Sequence, residues 1–507
     1  MRPSRWRLAL CVAIAVQVCV VGLYALTLHA TFKTSAYDIG AYTQAFYNLL
    51  GGQGLTVTIS GGAEQSWFGK HFSPILYVLA PVYTLWPMAE TLRLANVLLL
   101  ALAALPLYSV VLRITGHAAL AFTMAVAYLV NPFVVNAAVW DFHEVAFAPF
   151  LFACTYLALL KKQRGWFMFF CVLLLSVKEQ YGVALAGFGL LWGWHHKEYR
   201  FGVLVAALGL AAFFVIVSTV IPHFNGGKYM AGGGDNRFAW LMHPLSRPDR
   251  IVSMALGGFF YVMFLALAGF LTALSAWQWL SPGIADLAAN IASANVMMRT
   301  SDSYYSSALI VVFAVATAQT LARAMKNNPK FLPRDAIIAL STMAIFLCHF
   351  SNLPYGKNRW ELGHIQPAPA ATDAHAMNDI RSLIPASDAV AAQLNVGAHF
   401  SDRRAIYVFP DNMGDAAWLL LRLEFPFEKH KEVFNEPFDV PCAEYTDRVG
   451  KILADPAWVV AYWQKPWLVM HKGGNNVADR NAIAGSLAAM QEACTQAEKK
   501  ELEDLRQ

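Results

Sequence analysis

From residue 8 to about residue 350 the chain alternates apolar runs of about twenty residues with short polar connections. Each run is long enough to cross a hydrocarbon core of about 30 Å as a helix, so the pattern predicts an α-helical polytopic membrane protein. The first run, 8–30, follows Met-Arg-Pro-Ser-Arg-Trp-Arg and is too long for the core of a signal peptide. It reads as an uncleaved span whose start is held in the cytoplasm by Arg2, Arg5 and Arg7. The next apolar stretch, 73–86, is short and carries Pro74 and Pro81, so it is expected to lie along the outer interface. Further spans are expected at 92–112, 118–139, 145–160, 166–177, 182–194 and 201–221, two between 251 and 295, then 306–322 and 336–350, about eleven in all. This parity puts Arg113, Lys161, Lys162, Arg164, Lys197, Arg200 and the basic segment 323–334 in the cytoplasm. Counting 73–86 as a span would carry Lys161, Lys162 and Arg164 outside, against the charge rule.

Two domains follow from the pattern: a transmembrane domain, 1–350, with a large first outer loop, 31–91, and a soluble extracytoplasmic domain, 351–507. The tail has ordinary charge density and no run long enough to span. Helical spacing covers 373–383, strand-like runs occur at 389–393, 406–409, 416–423 and 458–463, and a helix is expected from about 479 onward. The tail is therefore read as a small α/β domain.

Composition agrees with this division. The 507 residues are 57% apolar or aromatic and 14% charged, with a mean hydropathy of +0.43, which excludes a soluble globular protein. The net charge of +5 does not point to nucleic acid, because no basic cluster interleaved with aromatics is present. Five cysteines, Cys11, Cys19, Cys154, Cys171 and Cys348, lie in apolar runs and read as small buried residues. Cys442 and Cys494 lie in the polar tail, where an oxidising compartment would allow them to pair.

The parity of the spans brings several polar side chains to one outer face. They are Asp38 in Tyr-Asp-Ile-Gly, Lys70 and His71 in Lys-His-Phe-Ser-Pro, Asp141, His143 and Glu144 in Trp-Asp-Phe-His-Glu, and Lys178 and Glu179 in Val-Lys-Glu-Gln. Ionisable groups at the ends of apolar helices are costly to desolvate, and their convergence suggests a functional cleft. Plainer roles compete at each position. Asp38 suits an N-cap for the segment 39–50, Trp140 a membrane-belt aromatic beside a solvated turn, and His71 a satisfied interfacial histidine. Glu179 suits an ion pair with Lys178.

These motifs, in this order, resemble the membrane family called DUF2079. The tail is similar to the same family's polar C-terminal region in Ile384-Pro385, Ser387-Asp388, Ala398-His399-Phe400-Ser401 and the run from Arg403 to Pro410. The family is grouped with the GT-C membrane glycosyltransferases, so the resemblance implies a GT-C-like fold in a bacterial or archaeal cytoplasmic membrane. It implies a cell-envelope enzyme working on the periplasmic side, which transfers a sugar with inversion from a polyprenyl-phosphate donor to a glycan, lipid or protein acceptor. In the GT-C pattern the first outer loop carries an essential acidic residue, and Asp38 is the matching position and the candidate base. Many relatives pair two acids there. In this chain Asp38 is followed by Ile39 and Gly40, so a divalent Mg, Mn or Zn ion would need Asp141, His143, Glu144 or His71 as ligands.

Asp141 and Glu144 are further catalytic candidates. Arg299 in Met-Met-Arg-Thr-Ser-Asp-Ser-Tyr-Tyr, with Lys70 and Lys178 behind it, is expected to hold the departing phosphate, unless Arg299 simply contacts lipid headgroups. Lys70, His71, His143, Lys178, Glu179, Arg299, Tyr304 and Tyr305 are thus the substrate-binding candidates. The glycine-bearing loop 222–250 is expected to act as a lid. The alternatives to a transferase are a non-catalytic binder of lipid-linked sugar or a transporter of lipid or small solutes. A transporter predicts polar residues at mid-membrane depth and paired broken helices, neither of which is evident in the sequence.

Overall fold

The computed structural model describes residues 3–59, 64–227, 248–268, 271–301, 303–328, 332–350, 365–424, 440–475 and 480–504. The chain divides into two compact units. One comprises Met1–Gly22, Phe68–Leu79 and Leu94–Lys357, and the other Leu23–Trp67, Ala80–Arg93 and Asn358–Gln507.

The first unit is helical. Among the described residues five helices are long and apolar enough to cross a membrane: Arg5–Ala30, Ala89–Thr115, Tyr199–Phe224, Pro248–Leu267 and Ser307–Asn327. The pair Ala118–Leu129 and Pro132–Val139, bent by 46°, makes a sixth if it is one span. The bend has a local cause: Pro132 has no N–H to continue the first helix, and Asn131 accepts the Phe133 N–H to start a second. Glu144–Leu160 and Arg164–Leu175 are apolar but shorter. Between 251 and 295 the expected second span is replaced by a 3-10 segment, Leu271–Gly283, and a short helix, Ile284–Ala292. Pro282 and the non-helical backbone at Ala276 account for that interruption. The stretch 73–86 forms a 3-10 turn, Pro74–Val78, and a six-residue helix, Ala80–Leu85, neither long enough to cross.

The helix Ser307–Asn327 is the core of this unit. Every residue from Ser307 through Ala318 is buried, against Ala104–Thr115, Ala148–Leu160 and Leu271–Gly283, as expected for a helix that is apolar all round. The helices Tyr181–His196 and Tyr199–Val215 meet along small residues. A Cβ at Gly202 would lie 2.5 Å from the Gly189 carbonyl, which leaves no room for a larger side chain.

The second unit contains a short ribbon of β1 (Thr56–Val57) and β2 (Gln65–Ser66) and a five-stranded sheet. The sheet strands are β3 (Val390–Gln393), β4 (Ile406–Phe409), β5 (Trp418–Arg422), β6 (Trp458–Gln464) and β7 (Trp467–Lys472), in the order β4-β3-β5-β7-β6. The first three are parallel, and β7 then runs antiparallel to both β5 and β6. The four strand-like runs of the tail are all strands. The strand β7 and the helix Cys442–Ala454 are additional. That helix packs on Arg480–Asp504, and the Cys442–Cys494 disulfide joins them with a Cα separation of 5.8 Å.

The first loop packs with the tail. Thr58 Oγ1 donates to the Ile406 carbonyl at 2.7 Å and accepts the Ile406 N–H at 3.0 Å. Gln44 donates to the Arg404 carbonyl at 2.8 Å, and Asn395 to that of Phe32 at 3.1 Å. His399 stacks on His29 with ring centroids 3.9 Å apart. Burial first, and then the nearby Arg381 charge, push the His399 imidazole down to about 3. It is therefore neutral in the folded chain, whereas an unfolded chain takes up a proton below about pH 6.5. Between those values the unfolded state binds more protons, so stability falls with falling pH. Lowering the pH from 7 to 5 should cost the second unit about 2 kcal/mol through this group. Thermal melting of wild type and His399→Phe at both pH values checks it, with the acid loss smaller in the variant.

Candidate functional site

Asp38 lies in the second unit. Ala36–Gly40 forms a single π turn, closed by the Gly40 N–H on the Ser35 carbonyl at 3.2 Å, and continues into the helix Ala41–Leu50. Such turns are costly departures from α-helix and are frequent at functional sites. Ser35 fills the capping position, accepting the Tyr37 N–H at 3.1 Å, so the N-cap role considered for Asp38 belongs to Ser35. Asp38 stands half-buried in the middle of the turn.

The first unit gathers a separate polar cluster. Glu179 Oε1 accepts from the His71 Nδ1 side at 3.1 Å, and its Oε2 accepts the Phe72 N–H at 3.1 Å. The Ile75 N–H binds the Ser176 carbonyl at 2.9 Å, so residues 71–75 are tied to the turn that carries Lys178 and Glu179. Lys178 pairs with Glu144 at 2.9 Å, not with Glu179 as the simpler sequence reading had it. Both partners are buried. His143 Nδ1–H donates to the Asp141 carbonyl at 3.0 Å, and the ring stacks on Tyr304, with centroids 3.8 Å apart. Tyr304 in turn donates to Tyr305 at 3.1 Å. The Trp-Asp-Phe-His-Glu segment is anchored because Trp140 ends the helix Pro132–Val139 and Glu144 opens the next turn. Asn136 holds the Ser301 carbonyl at 2.9 Å, which brings the Tyr304 segment alongside.

Charge follows from this geometry. Burial opposes the Lys178 ammonium, but Glu144 and Glu179 outweigh it and raise its pKa above the ordinary value. Burial likewise opposes ionisation of Glu179, yet His71 and Lys178 hold it below the usual carboxylate range. Burial and the Lys178 charge lower the pKa of the His71 imidazole.

Among the described residues no three His, Cys, Asp or Glu side chains are grouped to hold an ion. Of the four named ligands, Glu144 is committed to Lys178 and His71 to Glu179. Arg299 is also engaged locally: its Nη1 donates to the carbonyls of Ile291 and Ser293 at 3.1 and 2.6 Å. Lys70 precedes His71 and is partly exposed. Most of the expected lid, 228–247, lies outside the described residues.

The structure adds residues that the sequence reading passed over. Gln180 donates to Asp286 at 2.7 Å, and Asn290, one turn further on, donates to the Tyr261 hydroxyl at 2.8 Å, which meets Ser306 at 2.7 Å. A carboxylate inside the apolar run 284–292 is itself an exception that could have marked Asp286.

The chain matches the family described as Predicted membrane protein (DUF2079) over residues 28–431. It belongs to that family. Among solved structures it is similar to ArnT from Cupriavidus metallidurans bound to undecaprenyl phosphate, at 14% identity and a TM-score of 0.53, covering 90% of this chain and 97% of that one. The apo form of the same ArnT gives 14% identity and a TM-score of 0.55, covering 93% and 98%. No curated protein matches. The chain thus shares its fold with ArnT, with a small sheet-containing C-terminal region.

Proposed function

We propose that the protein is a membrane glycosyltransferase that moves a sugar from a polyprenyl-phosphate donor to an acceptor outside the cytoplasm, with inversion and with Asp38 as base. The observation that carries this reading is the GT-C fold over nearly the whole chain, in which a neighbour binds undecaprenyl phosphate, together with a half-buried carboxylate in a π turn of the first loop. In the proposed step the acceptor hydroxyl gives its proton to the Asp38 carboxylate, and its oxygen forms a bond to the anomeric carbon. The bond from that carbon to the phosphate oxygen breaks, and the electron pair leaves with the polyprenyl phosphate. A phosphate monoester leaves readily, because its second pKa is about 6.

Within the cluster of the first unit, the half-buried Tyr304 and Tyr305 suit hydroxyl-rich ligands, and its pairing with Glu144 makes Lys178 less suited to a phosphate. Lys70 is the cation retained for the phosphate, and Asp141 and Glu144 are retained as supporting acids with no metal step. Cells that lose the chain should lose one envelope glycan and accumulate one lipid-linked sugar. An unchanged pool would favour a binder or transporter.

Orientation is part of the proposal. A reporter fused after Lys162 should be cytoplasmic and one fused after Gln507 extracytoplasmic, as the basic residues Lys161, Lys162 and Arg164 require. A reporter after Lys162 found outside would reverse the assignment.

A further inference from the structure

We propose that the C-terminal region positions the base: the segment from Leu394 to Arg404 clamps the π turn that carries Asp38. This rests on the assignment of Asp38 as base. The contact is backbone-close. A Cβ at Gly40 would lie 2.7 Å from Ser401 Oγ and 3.4 Å from Ala398 Cα, and one at Gly397 would lie 3.1 Å from Ala36 Cβ. Gly40 is two residues from Asp38, and Ala36 opens the same turn. Ser401 is fixed by its own bond to the Gly397 carbonyl at 2.6 Å. Downstream, Gln44 binds Thr58 and the Arg404 carbonyl, and Thr58 binds both backbone groups of Ile406, so the helix after the turn is pinned to β4.

A π turn has one more residue per turn than the flanking helix and relaxes unless its surroundings hold it. Here the surroundings come from a segment about 360 residues away in the chain, as the separation of Gln44 and Arg404 records. A displacement of about 1 Å at a base can cost about 100-fold in rate without changing substrate binding. The C-terminal region is thus a positioning element of the reaction, whatever else it recognises.

The test uses the full-length chain in cells and in detergent, with Gly40→Ala, Ser401→Ala, the double variant, Asp38→Asn, and Val449→Ala as a control in the sheet core away from the first loop. Three quantities are read: folded protein in the membrane, binding of undecaprenyl phosphate, and glycan product per folded molecule. Gly40→Ala should keep lipid binding within about twofold and lose product by tenfold or more, and removing the Ser401 hydroxyl in the double variant should restore most of it. Val449→Ala should lower the folded amount but not the product per folded molecule. If Gly40→Ala lacks folded protein, Ser401→Ala alone, which frees the clamp without adding atoms, should lower product per molecule by several-fold. Wild-type product in both Gly40→Ala and Ser401→Ala, with Asp38→Asn inactive, overturns the clamp. Equal loss of lipid binding and product in Gly40→Ala, unrescued by Ser401→Ala, also overturns it. Wild-type product from Asp38→Asn removes the base assignment itself.

Discussion

Glu144→Ala is expected to lower the stability of the first unit by about 3–5 kcal/mol, because it leaves the buried Lys178 ammonium without the carboxylate 2.9 Å away. Lys178 keeps the attraction of Glu179, which places the effect toward the lower end. Replacing both partners with apolar groups, Glu144→Leu with Lys178→Met, should cost much less, since no charge then remains unpaired. The damage should also spread to function. Lys178 helps hold Glu179 ionised, and Glu179 holds His71 and the Phe72 N–H, so the loop 71–75 loosens when the pair is broken. Thermal melting in detergent checks the ordering. A single variant that melts like wild type, or a double variant that melts below the single one, would refute the buried pair.

Asp38→Asn is expected to lower transfer by about 10²–10⁴-fold, the usual range for loss of a general base. The change is nearly isosteric and the cap of the turn is Ser35, so the turn should persist. That combination separates a proton-transfer role from a structural one. Asp38→Ala, by contrast, removes the side chain altogether and would report both roles at once.

Much of the fold was legible from hydrophobic runs alone. The positions of the first span, of the bent pair 118–139 and of the core helix follow from apolar length, and the tail strands from alternation, because both periodicities are local. The spans between 251 and 295 were not legible, since the apolar run does not register the backbone break at Ala276 or the kink at Pro282. The strand β7 was hidden by Trp467 and His471, which mix bulk and polarity without regular alternation.

The candidate site divides in the same way. That Asp38, His71, Glu144, Lys178 and Glu179 are special was readable, because charge is rare in such a chain. Their partners were not. The switch of Lys178 from its neighbour Glu179 to Glu144 and the docking of the first loop on residues 394–406 depend on contacts between distant segments, and the capture of Arg299 by the nearby Ile291 and Ser293 carbonyls depends on a local irregular turn; periodicity encodes neither.

The most direct measurement is the lipid-linked sugar pool and envelope glycans of cells carrying wild-type chain, Asp38→Asn or no chain, resolved by mass spectrometry. A transferase with Asp38 as base gives the same missing glycan and the same accumulated polyprenyl-phosphate sugar in the last two. A pool altered by loss of the chain but normal with Asp38→Asn would contradict catalysis at Asp38 and leave a binding or transport role.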